Sequence, residues 1–320
     1  MTTLATQVAL LVAGIGILYF GAEWLVRGSA RIAATLGVSP IVVGLTVVSF
    51  GTSAPELVVC LVAALGGNSD LAMGNVLGSN MANIGLILGI TAMVRPLDVA
   101  ARVVWREGPL MVLVTIALYP ILWDHEIQRS DGVLLLIALA AYLFFVFQSV
   151  EEEAPEILDE YQAFVRNSVE GNGTVRLHDL GLLVAGSLGL VVGGYVIVTA
   201  AETVAVALNI PQGVIGLTLV AVGTSLPELA TSVVAAIRKE TDIAVGNVIG
   251  SNIFNLVAIL GTTSAVHPIG VSPAVLSRQL PAVIILSVFM LPILRSGWCI
   301  RRWEGGLLVM MYLGLFAWLL

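Results

Sequence analysis

The sequence predicts an all-α membrane protein of ten transmembrane helices, arranged as two inverted-topology repeats of five with proline-broken helices near the midplane. Three observations predict it: 58% hydrophobic and only 11% charged residues over a length of 320, a succession of long apolar runs, and one segment that occurs twice. Soluble domains carry roughly 25% charged residues, so a chain this apolar has too little polar surface to face water on every side. The net charge of −7 also argues against nucleic acid as a partner, because phosphate binding needs clustered Lys and Arg.

The apolar runs come first. Stretches of the length and composition of a spanning helix lie near residues 4–26, 41–65, 71–94, 103–123, 132–150, 180–199, 214–237, 243–266, 280–294 and 303–320. The ninth is the shortest, with Pro281 and Pro292 blurring its limits. No Lys or Arg precedes the first run, so it reads as a retained span rather than a cleaved leader. Cys60 and Cys299 form neither a metal spacing nor a disulfide framework.

Between the fifth and sixth runs lies the one long polar stretch, 151–179, which opens with Glu151, Glu152 and Glu153 and lacks an EF-hand pattern. It divides the chain into a first repeat (1–150), a solvated loop (151–179) and a second repeat (180–320). Counted along these ten spans, twelve of the fourteen Lys and Arg fall on one side and only Arg129 and Arg278 on the other. By the positive-inside rule the rich side, which includes the central loop, is cytoplasmic. Both termini are then extracytoplasmic, in a multi-pass protein of the cell membrane.

The duplicated segment is the strongest signal. GLTVVSFGTSAPELVVCLVAALGGNSDLAMGNVLGSNMANIGLILG begins at Gly44, and GLTLVAVGTSLPELATSVVAAIRKETDIAVGNVIGSNIFNLVAILG begins at Gly216. They align without a gap, with over half the positions identical. Each half holds an odd number of spans, so the second copy enters the bilayer from the opposite face. Inverted repeats of this kind mark secondary transporters, whose site lies near the midplane where the repeats meet.

Glu56 and Glu228 sit deep inside the second and seventh runs, where a charge costs about 2.5–3.5 kcal/mol on insertion scales. Neither run has a central Lys or Arg to offset them; a bound cation would. Pro55 and Pro227 precede them and remove the helical bonds to the carbonyls of Gly51 and Gly223, so each helix should kink or unwind there. Irregular backbone at membrane depth is tolerated only inside protein or lining a cavity. Freed carbonyls, the hydroxyls of Thr52, Ser53, Thr224 and Ser225, and the two carboxylates together make an oxygen-rich cage. Thr52 and Glu56 are four residues apart, as are Thr224 and Glu228, which places each pair on one side of a helix.

The following runs supply a wall. Asn75, Ser79 and Asn83 recur every four residues, as do Asn247, Ser251 and Asn255, while Gly74, Gly78, Gly246 and Gly250 form small-xxx-small packing patterns. The oxygens are hard ligands and no His or Cys joins them, which favours Na⁺, Ca²⁺ or Mg²⁺ over zinc or copper. A dry, flexible cage suits Ca²⁺ better than Mg²⁺, which is reluctant to shed its water. Glu23 and Glu202, near the outer ends of the first and sixth runs, read as interfacial rather than ligating.

On the paired GTSAPE and GTSLPE segments, and the paired GNVLGSNMAN and GNVIGSNIFN segments, the chain resembles the cation/Ca²⁺ antiporter superfamily, within it the sodium/calcium exchangers of prokaryotes. The resemblance extends to essentially the whole chain. It implies Ca²⁺ at Glu56 and Glu228 with Thr52 and Thr224. It also implies flanking Na⁺ sites at Ser53, Ser79, Ser225 and Ser251 with the backbone carbonyls of Ser49 and Ala221, Asn83 and Asn255 in the middle, and first and sixth spans that slide as a gate. Some relatives, the potassium-dependent branch included, carry Asp where this chain has Asn255, which speaks against K⁺ co-transport.

The function expected is therefore secondary antiport of Na⁺ against Ca²⁺, since no phosphate-binding P-loop is present to couple ATP. The transported ions and the bilayer are the partners. No cofactor, enzymatic activity or obligate protein partner is expected. The alternatives are a Ca²⁺/H⁺ antiporter, a passive cation channel and, more remotely, an intramembrane hydrolase using the two carboxylates.

Overall fold

The computed structural model describes residues 4–36, 38–148, 177–207 and 221–319. The acidic run Glu151–Glu153, Arg166, Arg176 and the first residues of the seventh apolar run lie outside them. Among the described residues the regular structure is helical apart from four two-residue strands.

The helices are α1 (Leu4–Leu36), α2 (Pro40–Thr52), α3 (Ala54–Leu65), α4 (Ser69–Val94), α5 (Val103–Ile121), α6 (Arg129–Gln148), α7 (Leu177–Ala207), α8 (Ala221–Thr224), α9 (Leu226–Ile237), α10 (Thr241–Val266), α11 (Val275–Trp298) and α12 (Arg302–Leu319). Among the described residues seven helices are long and apolar enough to cross a bilayer, or eight if the bent pair α2 and α3 counts as one crossing. The ninth apolar run is not the shortest after all: α11 is 24 residues long. Pro281 falls in the first turn of its regular α-helical part, where a missing N–H is harmless, and Pro292 sits close to its end.

Burial sorts the helices into two groups. In α4 and α10, 78% and 94% of the best window is buried, against 28%, 22% and 22% in α1, α6 and α7. The outer helices carry exposed Val12, Ile15, Phe20, Ile137, Phe144, Leu188 and Tyr195, side chains stable against lipid tails but not against water. The inner helices carry the duplicated Asn/Ser/Gly motif, so the polar residues are in the middle of the protein and the apolar ones outside.

The outer helices α1 and α7 pack backbone to backbone. A Cβ on Gly21 would lie 2.8 Å from the Leu190 nitrogen, and one on Gly186 would lie 2.5 Å from the Leu25 nitrogen. Gly14 and Gly28, seven residues to either side of Gly21, meet α7 in the same way. Where lipid offers no hydrophobic drive for helices to associate, such close van der Waals contact supplies it.

Among the described residues five stretches are wound as π-helix: Gly44–Val48 in α2, Ala82–Ile87 in α4, Val103–Glu107 at the start of α5, Asn255–Ile259 in α10 and Val275–Gln279 at the start of α11. Such turns are rare and concentrate at functional sites. Two of them contain Asn83 and Asn255. Strand β1 (Leu97–Asp98) pairs antiparallel with β4 (Cys299–Ile300), and β2 (Glu126–Ile127) with β3 (Ile269–Gly270), so each small sheet stitches a loop of one half to a loop of the other.

Candidate ion-binding site

The backbone breaks where the prolines stand. Ser53, between α2 and α3, has φ −84° and ψ 5°, and the two helices meet at 45°. Ser225, before α9, has φ −89° and ψ 4°. Both lie in the sparsely populated bridge between the helical and extended regions. Pro55 and Pro227 then fall at the beginning of α3 and α9, where no intrahelical partner needs their missing N–H. Glu56 and Glu228 consequently occupy the first turn of a helix, where the positive end of the helix dipole favours a carboxylate.

Each carboxylate is held from the other half of the chain. The Ser53 hydroxyl donates to Glu228 Oε1 at 2.9 Å, and the Ser225 hydroxyl to Glu56 Oε1 at 3.5 Å. Thr52 donates to Asn247 Oδ1 at 3.1 Å, and Thr224 to Asn75 Oδ1 at 3.3 Å. The second bond of each pair is the first with the halves exchanged, the reciprocity that a two-fold axis produces. The four-residue spacing predicts Thr52 and Glu56 on one side of a single helix. The contacts found run across the halves instead, because the break at Ser53 ends the helical register between them.

Among the described residues five glutamates are buried: Glu23, Glu56, Glu107, Glu228 and Glu304. A buried carboxylate is tolerated when it is paired. Glu23 is paired with Arg27 at 2.5 Å and with Arg238, whose Nε lies at 2.8 Å, in keeping with a non-ligating role. Glu107 is paired with Arg102 at 3.0 Å, and Glu304 accepts from the Arg301 N–H at 2.7 Å and from Ser296. Glu56 and Glu228, fully buried, have no basic partner among the described residues and only hydroxyls for company. Their second oxygens, Oε2 in each case, have no hydrogen-bond partner.

The same is true of the wall. Ser79 and Ser251 are fully buried with unpartnered hydroxyls, Asn83 is buried with both its amide oxygen and nitrogen unpartnered, and Asn255 Oδ1 is unpartnered. Most buried side-chain polar atoms in folded proteins find a partner, and these orphaned oxygens on a duplicated motif are hard donors of the kind a cation takes. The Ser49 carbonyl accepts from the Ser53 N–H at 3.0 Å and from the Thr52 hydroxyl at 3.3 Å; Ala221 begins α8, in the position of Ser49 in α2. Glu202 lies in α7, away from the motif in sequence. Among the described residues no three His, Cys, Asp or Glu side chains gather in one place, so a cation held here would depend on hydroxyl, amide and carbonyl oxygens to complete its shell.

Two further asparagines belong to the centre. Asn80 donates to the Asn252 carbonyl at 3.3 Å and its Oδ1 accepts from Asn255 at 3.0 Å. Both are at most 1% exposed. They stand in the duplicated GSN triplet, and the cost of burying an amide on an apolar helix is the signal that could have found them.

With this geometry in view, the similarity to known proteins is specific. A family model described as sodium/calcium exchanger protein matches residues 6–148 and 178–320. The chain belongs to the sodium/calcium exchanger family. This exchanger is 38% identical to the inner membrane protein YrbG of Escherichia coli (strain K12), over 88% of its own length and 86% of that protein's. It is 34% identical to the sodium/calcium exchanger MaX1 of Methanosarcina acetivorans, over 95% of both. Its fold matches the sodium-calcium exchanger NCX_Mj, in crystals soaked with 100 mM Na⁺ and 10 mM Sr²⁺, with a TM-score of 0.83 and 32% identity, covering 98% of this chain and 99% of that one. The exchanger is a multi-pass, all-α membrane protein.

Proposed function

We propose that this exchanger is a secondary antiporter that carries Na⁺ and Ca²⁺ in opposite directions through one site centred on Glu56 and Glu228. One observation carries the reading: two fully buried carboxylates, each bonded to hydroxyls of the opposite half, have no basic partner among the described residues and each keeps a free oxygen. Two carboxylates neutralise one Ca²⁺, or share their charge among several Na⁺, so the ions compete for the same oxygens. Competition at a single buried site couples the two fluxes when the site faces one side at a time.

In this reading Thr52 and Thr224 complete the Ca²⁺ shell. Ser53, Ser79, Ser225 and Ser251, with the carbonyls of Ser49 and Ala221, serve flanking Na⁺, and Asn83 and Asn255 stand in the middle. The membrane arrangement is ten spans in two inverted repeats, 1–150 and 180–320, joined by a cytoplasmic loop over 151–179, with both termini extracytoplasmic. The reciprocal hydrogen bonds and the one-sided distribution of Lys and Arg support it. Asn255, where some relatives carry Asp, leaves one acid fewer in the centre to bind protons, which favours Na⁺ over H⁺ as the driving ion.

Purified protein in liposomes loaded with Na⁺ and diluted into Na⁺-free buffer should accumulate Ca²⁺. Accumulation should vanish when the Na⁺ gradient is collapsed and persist when the K⁺ or pH gradient is. Uptake that follows the pH gradient and ignores Na⁺ would assign the protein to Ca²⁺/H⁺ exchange, and discrete conductance steps in planar bilayers would make it a channel.

A further inference from the structure

We infer that Asn247 and Asn75 are positioning residues that fix the direction of the hydroxyl protons of Thr52 and Thr224, so that these threonines can offer only lone pairs to a bound cation. The inference rests on the reading of Thr52 and Thr224 as cation ligands and goes beyond it by naming what makes them so.

A threonine hydroxyl has one proton and two lone pairs and rotates to suit its surroundings. As a ligand to a positive ion it must turn the proton away. Thr52 does so toward Asn247 Oδ1 at 3.1 Å, with the Ser49 carbonyl as a second acceptor at 3.3 Å. What makes Asn247 an acceptor at that end is its other end. Its amide nitrogen donates to the Glu228 carbonyl at 3.4 Å and to the Ser232 hydroxyl at 3.1 Å. Turning the amide over would set its oxygen against the Glu228 carbonyl and its N–H groups against Thr52. The threonine would then have to spend a lone pair on the amide instead of on the ion.

The arrangement occurs twice. Asn75 Oδ1 accepts from Thr224 at 3.3 Å, while its nitrogen donates to the Glu56 carbonyl at 3.4 Å and to Cys60 Sγ at 3.3 Å. Both asparagines are at most 4% exposed. Each therefore ties the backbone of one glutamate to the threonine of the opposite half, one hydrogen bond removed from the ion. The halves differ in one atom of this relay, a sulfur at Cys60 against an oxygen at Ser232. Sulfur is the weaker acceptor, so the Asn75 amide is the less firmly held of the two.

A double-mutant cycle on Ca²⁺ transport in liposomes tests this. Thr52→Val and Asn247→Leu should each raise the KM for Ca²⁺ about tenfold, the scale of one hydrogen bond to a charged group, with the maximal rate changed far less. In the Thr52→Val background Asn247→Leu should add nothing further, because no hydroxyl remains to be oriented; Thr52→Ser should restore the full sensitivity. Effects that multiply in the double variant would assign Asn247 a purely structural part and overturn the inference. A Thr52→Val protein with unchanged KM would instead remove Thr52 from the ligand set, a failure of the functional reading itself. The Asn75 and Thr224 cycle gives the same decision in the other half, and Asn247→Ala replaces the leucine variant if that one does not fold.

Discussion

Glu56→Gln is expected to abolish Na⁺-driven Ca²⁺ uptake, as is Glu228→Gln, while both proteins remain folded and monodisperse. Glutamine keeps the shape of the side chain and an oxygen for the Ser225 or Ser53 hydroxyl, which now lies at 3.5 or 2.9 Å from the carboxylate. What it removes is half of the negative charge. A unit charge pair at 4 Å is worth about 4 kcal/mol at an effective dielectric of 20, about a thousandfold in affinity, and Ca²⁺ carries twice that charge. The fold should lose nothing, because a neutral amide is cheaper to bury than an unpaired carboxylate. Melting temperatures in ion-free buffer should be equal to the parent's or higher. The parent alone should gain stability as Ca²⁺ is added, since only it binds the ion in the folded state. Exchange at the parental rate in both variants would dispose of the proposed site.

Gly250→Ala should damage both the fold and the site. A Cβ there would lie 2.2 Å from Ser49 Oγ, 2.6 Å from the Leu45 carbonyl oxygen and 2.8 Å from Leu45 Cα. The last two are backbone and cannot swing aside, so α10 must move off α2. Ser49 bonds the Asn247 carbonyl at 3.1 Å and the Gly44 carbonyl at 2.7 Å, so this movement reaches the Asn247–Thr52 contact directly. Overpacking of this kind costs about 1–3 kcal/mol or more. The expected outcome is a lowered melting temperature together with loss of Ca²⁺ uptake. Gly314→Ala, exposed and with nothing within 4 Å of its added carbon, should leave both unchanged. A Gly250→Ala protein with normal stability and transport would show that the contact between α2 and α10 is looser than these distances imply.

The two central acids are legible in the amino-acid sequence because a charge inside an apolar run is expensive, and because the same expense appears twice at one offset. The prolines are legible for a local reason, a missing N–H, and the breaks at Ser53 and Ser225 follow from it. What is not legible depends on contacts between residues far apart in the chain. Arg238 reaches Glu23 across 215 residues, and nothing in either neighbourhood announces the pairing. Gly14, Gly21 and Gly28 are spaced to line one face of α1, yet their partner surface on α7 exists only once the two helices lie together. The π-helical turns at Asn83 and Asn255 also escape, because one extra residue per turn leaves no mark on an apolar helix whose every side is buried. Against the ten crossings expected, seven or eight helices among the described residues meet the length and composition of a span; α9, at only twelve residues, and α12, which carries Arg302 and Glu304 in its first turn, are not among them.

The exchanged hydrogen bonds have a consequence for how the chain is made. Glu56 enters the bilayer during synthesis of the first half, but the hydroxyl that bonds it belongs to Ser225 and the amide that bonds Thr52 belongs to Asn247. Until roughly three quarters of the polypeptide has emerged, its acid therefore waits without the neighbours that hold it in the finished protein. Neither half synthesised alone can assemble the centre, whereas the two expressed as separate fragments carry every group it needs.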